Sequence, residues 1–163
     1  MKIMAHENNL FFNPFFSCEL IWTSIKEWST ESSANESGLS IPQLCLILPL
    51  VYHYPTVEAM GTKQKPGALT KALMEDRSIV INLNERMMSF FDLTLESINL
   101  GITSDLLCWK DVSGGVVGLG KRKTLGQLHY SEDALLRVAA SKRIGQAFAE
   151  SSPSQLYGLL GLR

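Results

Sequence analysis

The sequence is short of the residues that most often carry chemistry or hold a chain in a membrane. Its 163 residues include three cysteines and three histidines, and 19% are charged. Ordinary globular proteins carry about 25% charged residues. Cys18, Cys45 and Cys108 lie far apart, with no Cys-x-x-Cys pair and no histidine beside any of them. Zinc sites need clustered thiolates or imidazoles, so the three cysteines read as buried thiols in a reducing compartment. Long apolar runs are missing too. A spanning helix needs about 20 apolar residues, whereas the most apolar stretch, Leu44 to Val51, has eight residues and is interrupted by Pro49. No apolar run of signal-peptide length follows Met1. The expectation is a soluble, cytoplasmic protein without a membrane segment or bound cofactor.

What is present is a core. The apolar fraction is 45%, and a chain of this length can bury roughly two-thirds of its unfolded surface. That excludes disorder as a whole-chain description, since disorder goes with low hydrophobicity and high net charge. One domain over residues 1–163 is the simplest organisation. Fifteen basic residues oppose 16 acidic ones, for a net charge of −1. Few charges and near-neutrality make a poor colloid, which suggests that a partner covers part of the surface. The neutrality conceals an asymmetry: residues 1–60 carry −4 and residues 61–163 carry +3.

Periodicity predicts helices. Asn13-Pro14 reads as a cap followed by proline at the first helical position. Phe15, Cys18, Ile21, Trp22, Ile25 and Trp28 then form one apolar stripe. Ser29–Ser40 reads as a polar, mobile loop. Ile41-Pro42 opens a second helix, apolar on all sides and therefore buried, with Pro49 as a possible kink. A short turn capped by Thr56, a helix over Ala68–Met74, one over Ile79–Phe91 and another from Thr94 to Leu107 follow. Residues 109–128 contain turn chemistry, β-formers and glycines, and read as a hairpin. Ser131 before Glu132 and Asp133 starts a helix to Glu150, with Leu135, Val138, Ile144, Ala147 and Phe148 facing inward. Ser152-Pro153 starts a final turn. The fold class is mainly α, a compact helical domain with one Gly-rich β-hairpin. Its element order resembles a winged helix, with Thr94–Leu107 as third helix and Val116–Thr124 as wing.

Gly115–Lys121 satisfies Gly-x-x-x-x-Gly-Lys, the core of a phosphate-binding loop. The hydroxyl that would bind magnesium is replaced by Arg122, and no buried strand or following helix frames it. A nucleotide-binding enzyme is therefore disfavoured. Lys121, Arg122 and Lys123 form a basic cluster at the end of the hairpin. It suits phosphate contact with DNA, the sequence-independent part of DNA affinity, or an acidic partner. His53 sits among Tyr52, Tyr54, Thr56 and Glu58 and reads as a helix-end histidine bonded to a backbone carbonyl. His6 and His129 have no partners nearby. No catalytic constellation emerges.

Four segments in order carry a family resemblance: Asn13-Pro14-Phe15-Phe16; IPQLCLILPLVYHYPTVEAM, from Ile41; NLNERMMSFFDLTLESINLGITSDLL, with Arg86, Thr94 and Gly101; and AASKRIGQAFAESSPSQLYGLLGLR, with Gly145, Phe148 and Tyr157. Together they resemble the middle component of bacterial ABC-three-component systems, including the small subunit of Lamassu-type defence systems. Val57 departs from the family's tendency towards arginine there. The resemblance implies a non-enzymatic adaptor that joins an SMC/Rad50-like ATPase to an effector, often a nuclease, in a complex sensing foreign DNA. Phe11, Phe12, Phe15 and Phe16, with the surface of the Thr94–Leu107 helix, are the candidate protein interface. A stand-alone winged-helix DNA-binding module is the alternative.

Overall fold

A computed structural model describes residues 12–32, 38–61, 66–126 and 130–162. Phe11, His6 and His129 lie outside the described residues. In chain order the elements are α1 (Pro14–Glu31), β1 (Leu39–Ser40), α2 (Ile41–Val51), α3 (Tyr54–Gly61), α4 (Ala68–Glu75), a 3-10 turn (Arg77–Ile79), α5 (Leu83–Thr103), β2 (Leu107–Asp111), β3 (Val116–Leu119), α6 (Glu132–Glu150) and α7 (Pro153–Leu159). The mainly α class is as expected.

Local chemistry sets most boundaries. The Phe16 N–H donates to Asn13 Oδ1 at 2.8 Å, and Pro14 occupies the first turn, where its missing N–H costs nothing. Gln43 Oε1 accepts from the Ser40 N–H at 3.0 Å at the start of α2. Ser131 and Ser152 cap α6 and α7 through their hydroxyls.

Several boundaries differ from expectation. α1 runs on through Glu31, and Leu39–Ser40 is a strand, so the polar loop is shorter than 29–40. One helix, α5, stands in place of the two expected over Ile79–Phe91 and Thr94–Leu107, with Ile79 in the 3-10 turn before it and Leu107 in β2 after it. Thr94 does not cap a second helix because its hydroxyl donates to Phe90 O at 2.8 Å, a bond within the same helix that leaves Thr94 fully buried. Thr56 lies inside α3 rather than at its start.

The strands form one antiparallel sheet in the order β1-β3-β2. Leu39 faces Val117, and Leu107 faces Leu119, with a bulge between Trp109 and Asp111. The hairpin thus begins at Leu107 and ends at Leu119 rather than spanning 109–128. α3 and α4 stand between α2 and α5, and α5 is followed directly by the β2–β3 hairpin.

The core lies where α1 crosses α6 and α5. All nine residues from Gln43 to Val51 in α2 are buried, as its all-round apolar character requires. Each fully buried Leu or Ile there stabilises by about 1.5–3 kcal/mol. α1 and α6 meet closely at Gly145, where a Cβ would lie 2.2 Å from Ser24 O. Ser24 Oγ in turn donates to Ser141 O at 2.8 Å. On α6, Ile144, Ala147 and Phe148 are buried and Val138 packs against the core as expected, whereas Leu135 is 54% exposed and Ala134 takes the inward place beside it.

Candidate functional site

The phenylalanines at the start of α1 divide into different roles. Phe12 is half exposed, and its ring lies 5.1 Å from Tyr52 and 5.7 Å from Phe90. Tyr52 and Phe90 stack at 5.3 Å with an interplanar angle of 3°. Phe16 is partly buried against the core, 5.9 Å from the Tyr130 ring. Phe15 is 74% exposed.

Beneath Phe15 opens a cavity of about 430 Å³, with Phe16, Leu100, Leu106 and Leu125 among its walls. Cys18, Glu19, Arg122 and Tyr130 also line it. Glu19 is the unexpected member. It sits on the apolar stripe of α1, four residues after Phe15 and three before Trp22, and is 9% exposed. The Tyr130 hydroxyl donates to Glu19 Oε2. Burial raises the Glu19 carboxyl above the ordinary carboxylate range despite that bond. Burial and the neighbouring Glu19 push the Cys18 thiol up to about 11, so it is held as an unreactive thiol. The signal was legible in the sequence as a single acid on an otherwise apolar helical face.

A second cavity, of about 380 Å³, shares Glu19, Leu125, Gly126 and Tyr130 with the first. Lys26 and Lys142 line it, and Lys26 Nζ lies 4.8 Å above the Trp22 ring.

Lys121, Arg122 and Lys123 are exposed, but they are not on the hairpin turn. That turn is Val112–Gly115, where Ser113 Oγ donates to Asp111 Oδ1 at 2.9 Å and Gly115 adopts φ of 62°. The basic residues lie beyond β3, at the opposite end of the hairpin. There the Gly120 N–H donates to Leu106 O and the Arg122 N–H to Asp105 O, each at 2.9 Å. The Gly115–Lys121 motif does not form a phosphate loop. Val116–Leu119 is the central strand of the sheet, and its backbone is engaged by β1 and β2.

His53 Nδ1 lies 2.8 Å from Thr56 Oγ1, so its ring partner is a hydroxyl rather than the expected carbonyl. Burial, then the Arg86 charge, lower its pKa, against the opposing pull of Asp76. Among the described residues no group of three His, Cys, Asp or Glu side chains could hold a metal ion. Among them, too, no helix is long and apolar enough to cross a membrane.

On α5, Met88, Phe91 and Leu95 recur at spacings of three and four and are 76%, 41% and 40% exposed. They form an apolar stripe facing away from the core, mostly upstream of the Thr94–Leu107 surface expected from sequence.

No curated protein and no solved structure matches the chain. The family model described as "ABC-three component (ABC-3C) system Middle Component 3" matches residues 1–163, its whole length. The chain therefore belongs to the Middle Component 3 family of ABC-three-component systems.

Proposed function

We propose that the chain is a non-catalytic adaptor that bridges an SMC/Rad50-like ABC ATPase and an effector, of nuclease type, in a cytoplasmic defence complex of the Lamassu kind that senses foreign DNA. The observation that carries this reading is the family match over the full chain. The exposed apolar residues Phe12, Phe15, Met88, Phe91 and Leu95 support it, because interfaces between permanent partners are larger and more apolar than the rest of a surface. Phe11 keeps its place in the proposed interface by adjacency alone. Co-expression with the other two components tests the reading. A tagged copy of this chain is expected to retain both the ATPase and the effector through purification, and recovery of the chain alone would overturn it.

A second reading has a specific observation behind it. Lys121, Arg122 and Lys123 are exposed and lead into Thr124–Gly126, which shares a cavity with Lys26 and Lys142. We read this as a surface for DNA phosphates that works within the assembly. As a stand-alone winged-helix module the chain has weaker support, since the hairpin turn Val112–Gly115 carries no basic residue. Replacing Lys121, Arg122 and Lys123 by Glu is expected to weaken DNA binding by the assembled complex and to flatten its dependence on salt. Unchanged affinity and salt slope would reject the contact.

A further inference from the structure

A carboxylate buried to nine-tenths needs a compensating charge or several donors, because transfer of an ion out of water is costly. Among the described residues Glu19 has one donor, the Tyr130 hydroxyl, although an ionised carboxylate offers about four acceptor sites. Among the described residues no cationic group lies within ion-pair distance of it. It lines a cavity whose volume of about 430 Å³ falls in the range of about 300–1,000 Å³ typical of ligand sites. The other walls are mostly apolar, from Phe16, Leu100, Leu106 and Leu125. An acid in the wall of a mostly apolar cavity is complementary to a long side chain with a methylene stem and a cationic end. Lysine and arginine have that construction.

We propose that this cavity is the socket for one lysine or arginine side chain of a partner subunit, its stem along the apolar walls and its cation on Glu19. The inference rests on the adaptor reading above, and names where one partner is held. Three features favour a protein partner. Phe15 stands 74% exposed at the socket, and exposed aromatics are enriched as interface anchors. Phe12 adds a half-exposed ring at the start of the same helix. Buried acid against incoming base also supplies register, since a partner lacking the cation would leave the carboxylate unpaired. Arg122 is the cation of this chain that shares the cavity, yet it does not pair with Glu19. Its backbone is tied to Asp105 O at 2.9 Å.

The test uses the co-expressed three-component complex and the variants Glu19→Gln and Arg122→Ala. Glu19→Gln keeps an acceptor for Tyr130 and removes the charge. It is expected to leave the isolated subunit at least as thermally stable as wild type at pH 7, and to weaken its affinity for the other components tenfold or more. Arg122→Ala is expected to leave the melting temperature of the isolated subunit unchanged. Affinity unchanged by Glu19→Gln would overturn the socket while leaving the adaptor reading intact. A lowered melting temperature in Arg122→Ala would make Arg122 the internal partner of Glu19 and would also overturn it. Failure of the wild-type chain to bind any component would overturn both readings.

Discussion

Glu19 is the residue at which fold and function conflict most visibly. It occupies a core-facing position of α1, and its burial raises its carboxyl above the usual value of 4.5. A carboxyl raised in the folded state binds more protons there than in the unfolded chain. Its favourable contribution is therefore complete below about pH 4.5 and is lost as pH rises through the folded-state value. Glu19→Gln removes that loss. The variant should melt higher than wild type at pH 7, and the gap should close as the pH is lowered towards 4. Thermal melts of the two proteins across that range check the sign, and a gap that widens on acidification would refute it. Cys18, one residue earlier, faces the same desolvation, which keeps its thiol protonated. Gly145 is the residue whose smallness has the plainest structural reason, since α6 could not approach Ser24 so closely with a Cβ in the way. At this scale the sequence was informative wherever a residue acts on its neighbours in the chain. Asn13, Pro14 and Ser131 announce helix starts because their bonds are local. His53 is an exception: its partner is the Thr56 hydroxyl, three residues on, rather than the expected carbonyl, because nearness in the chain does not decide between two polar groups within reach.

At the scale of the element, α2 poses the sharpest problem. A helix buried on all sides leaves its last carbonyls without water, and α2 has no basic residue in its last turn. Two arginines from other helices supply the donors. Arg86 Nη1 of α5 donates to Pro49 O at 2.8 Å, and Arg137 Nη1 of α6 donates to Val51 O at 2.9 Å. Arg86 also donates to Ile79 O, which fixes the 3-10 turn against the same end. Arg137 lies 5.3 Å from the Tyr52 ring centroid. Leaving one buried acceptor unmatched costs about 1–3 kcal/mol. Arg86→Met, which keeps much of the stem, should therefore lower unfolding stability by at least about 1–3 kcal/mol. Chemical denaturation of the isolated subunit measures this, and a loss below about 0.5 kcal/mol would show that the carbonyls find other donors. The clamp was hidden from sequence reading because its partners are 37 and 86 residues apart. The same limit explains the fused α5. Thr94 carries a capping residue's chemistry, and only the packing that buries it decides that its hydroxyl turns back to Phe90 O. The hairpin was legible from its glycines and β-formers, but β1 was not. Two residues are too few to show a period, and Leu39–Ser40 is a strand because β3 offers it an edge.

For the whole molecule, the composition anticipated a surface in need of cover. Exposed apolar side chains occur on several elements, among them Phe15 on α1, Met88, Phe91 and Leu95 on α5, and Leu135 and Leu136 on α6. Replacing Met88, Phe91 and Leu95 together by Ser should leave the isolated subunit folded, with a lower melting temperature because Phe91 and Leu95, 41% and 40% exposed, are also partly covered. The same variant should lose its hold on the rest of the assembly. A folded variant that still assembles with wild-type affinity would remove the stripe from the interface. The near-neutral net charge of −1 does not argue against nucleic acid nearby, since Lys121, Arg122 and Lys123 are exposed together beyond the hairpin. Family membership follows from the match over residues 1–163. The adaptor role is tested most directly by native mass spectrometry of the three components co-expressed and purified through a tag on the ATPase. The account predicts one dominant assembly that contains this chain together with ATPase and effector, and loss of the effector from the ATPase when this chain is omitted. An ATPase–effector complex that forms equally well without the chain would contradict it.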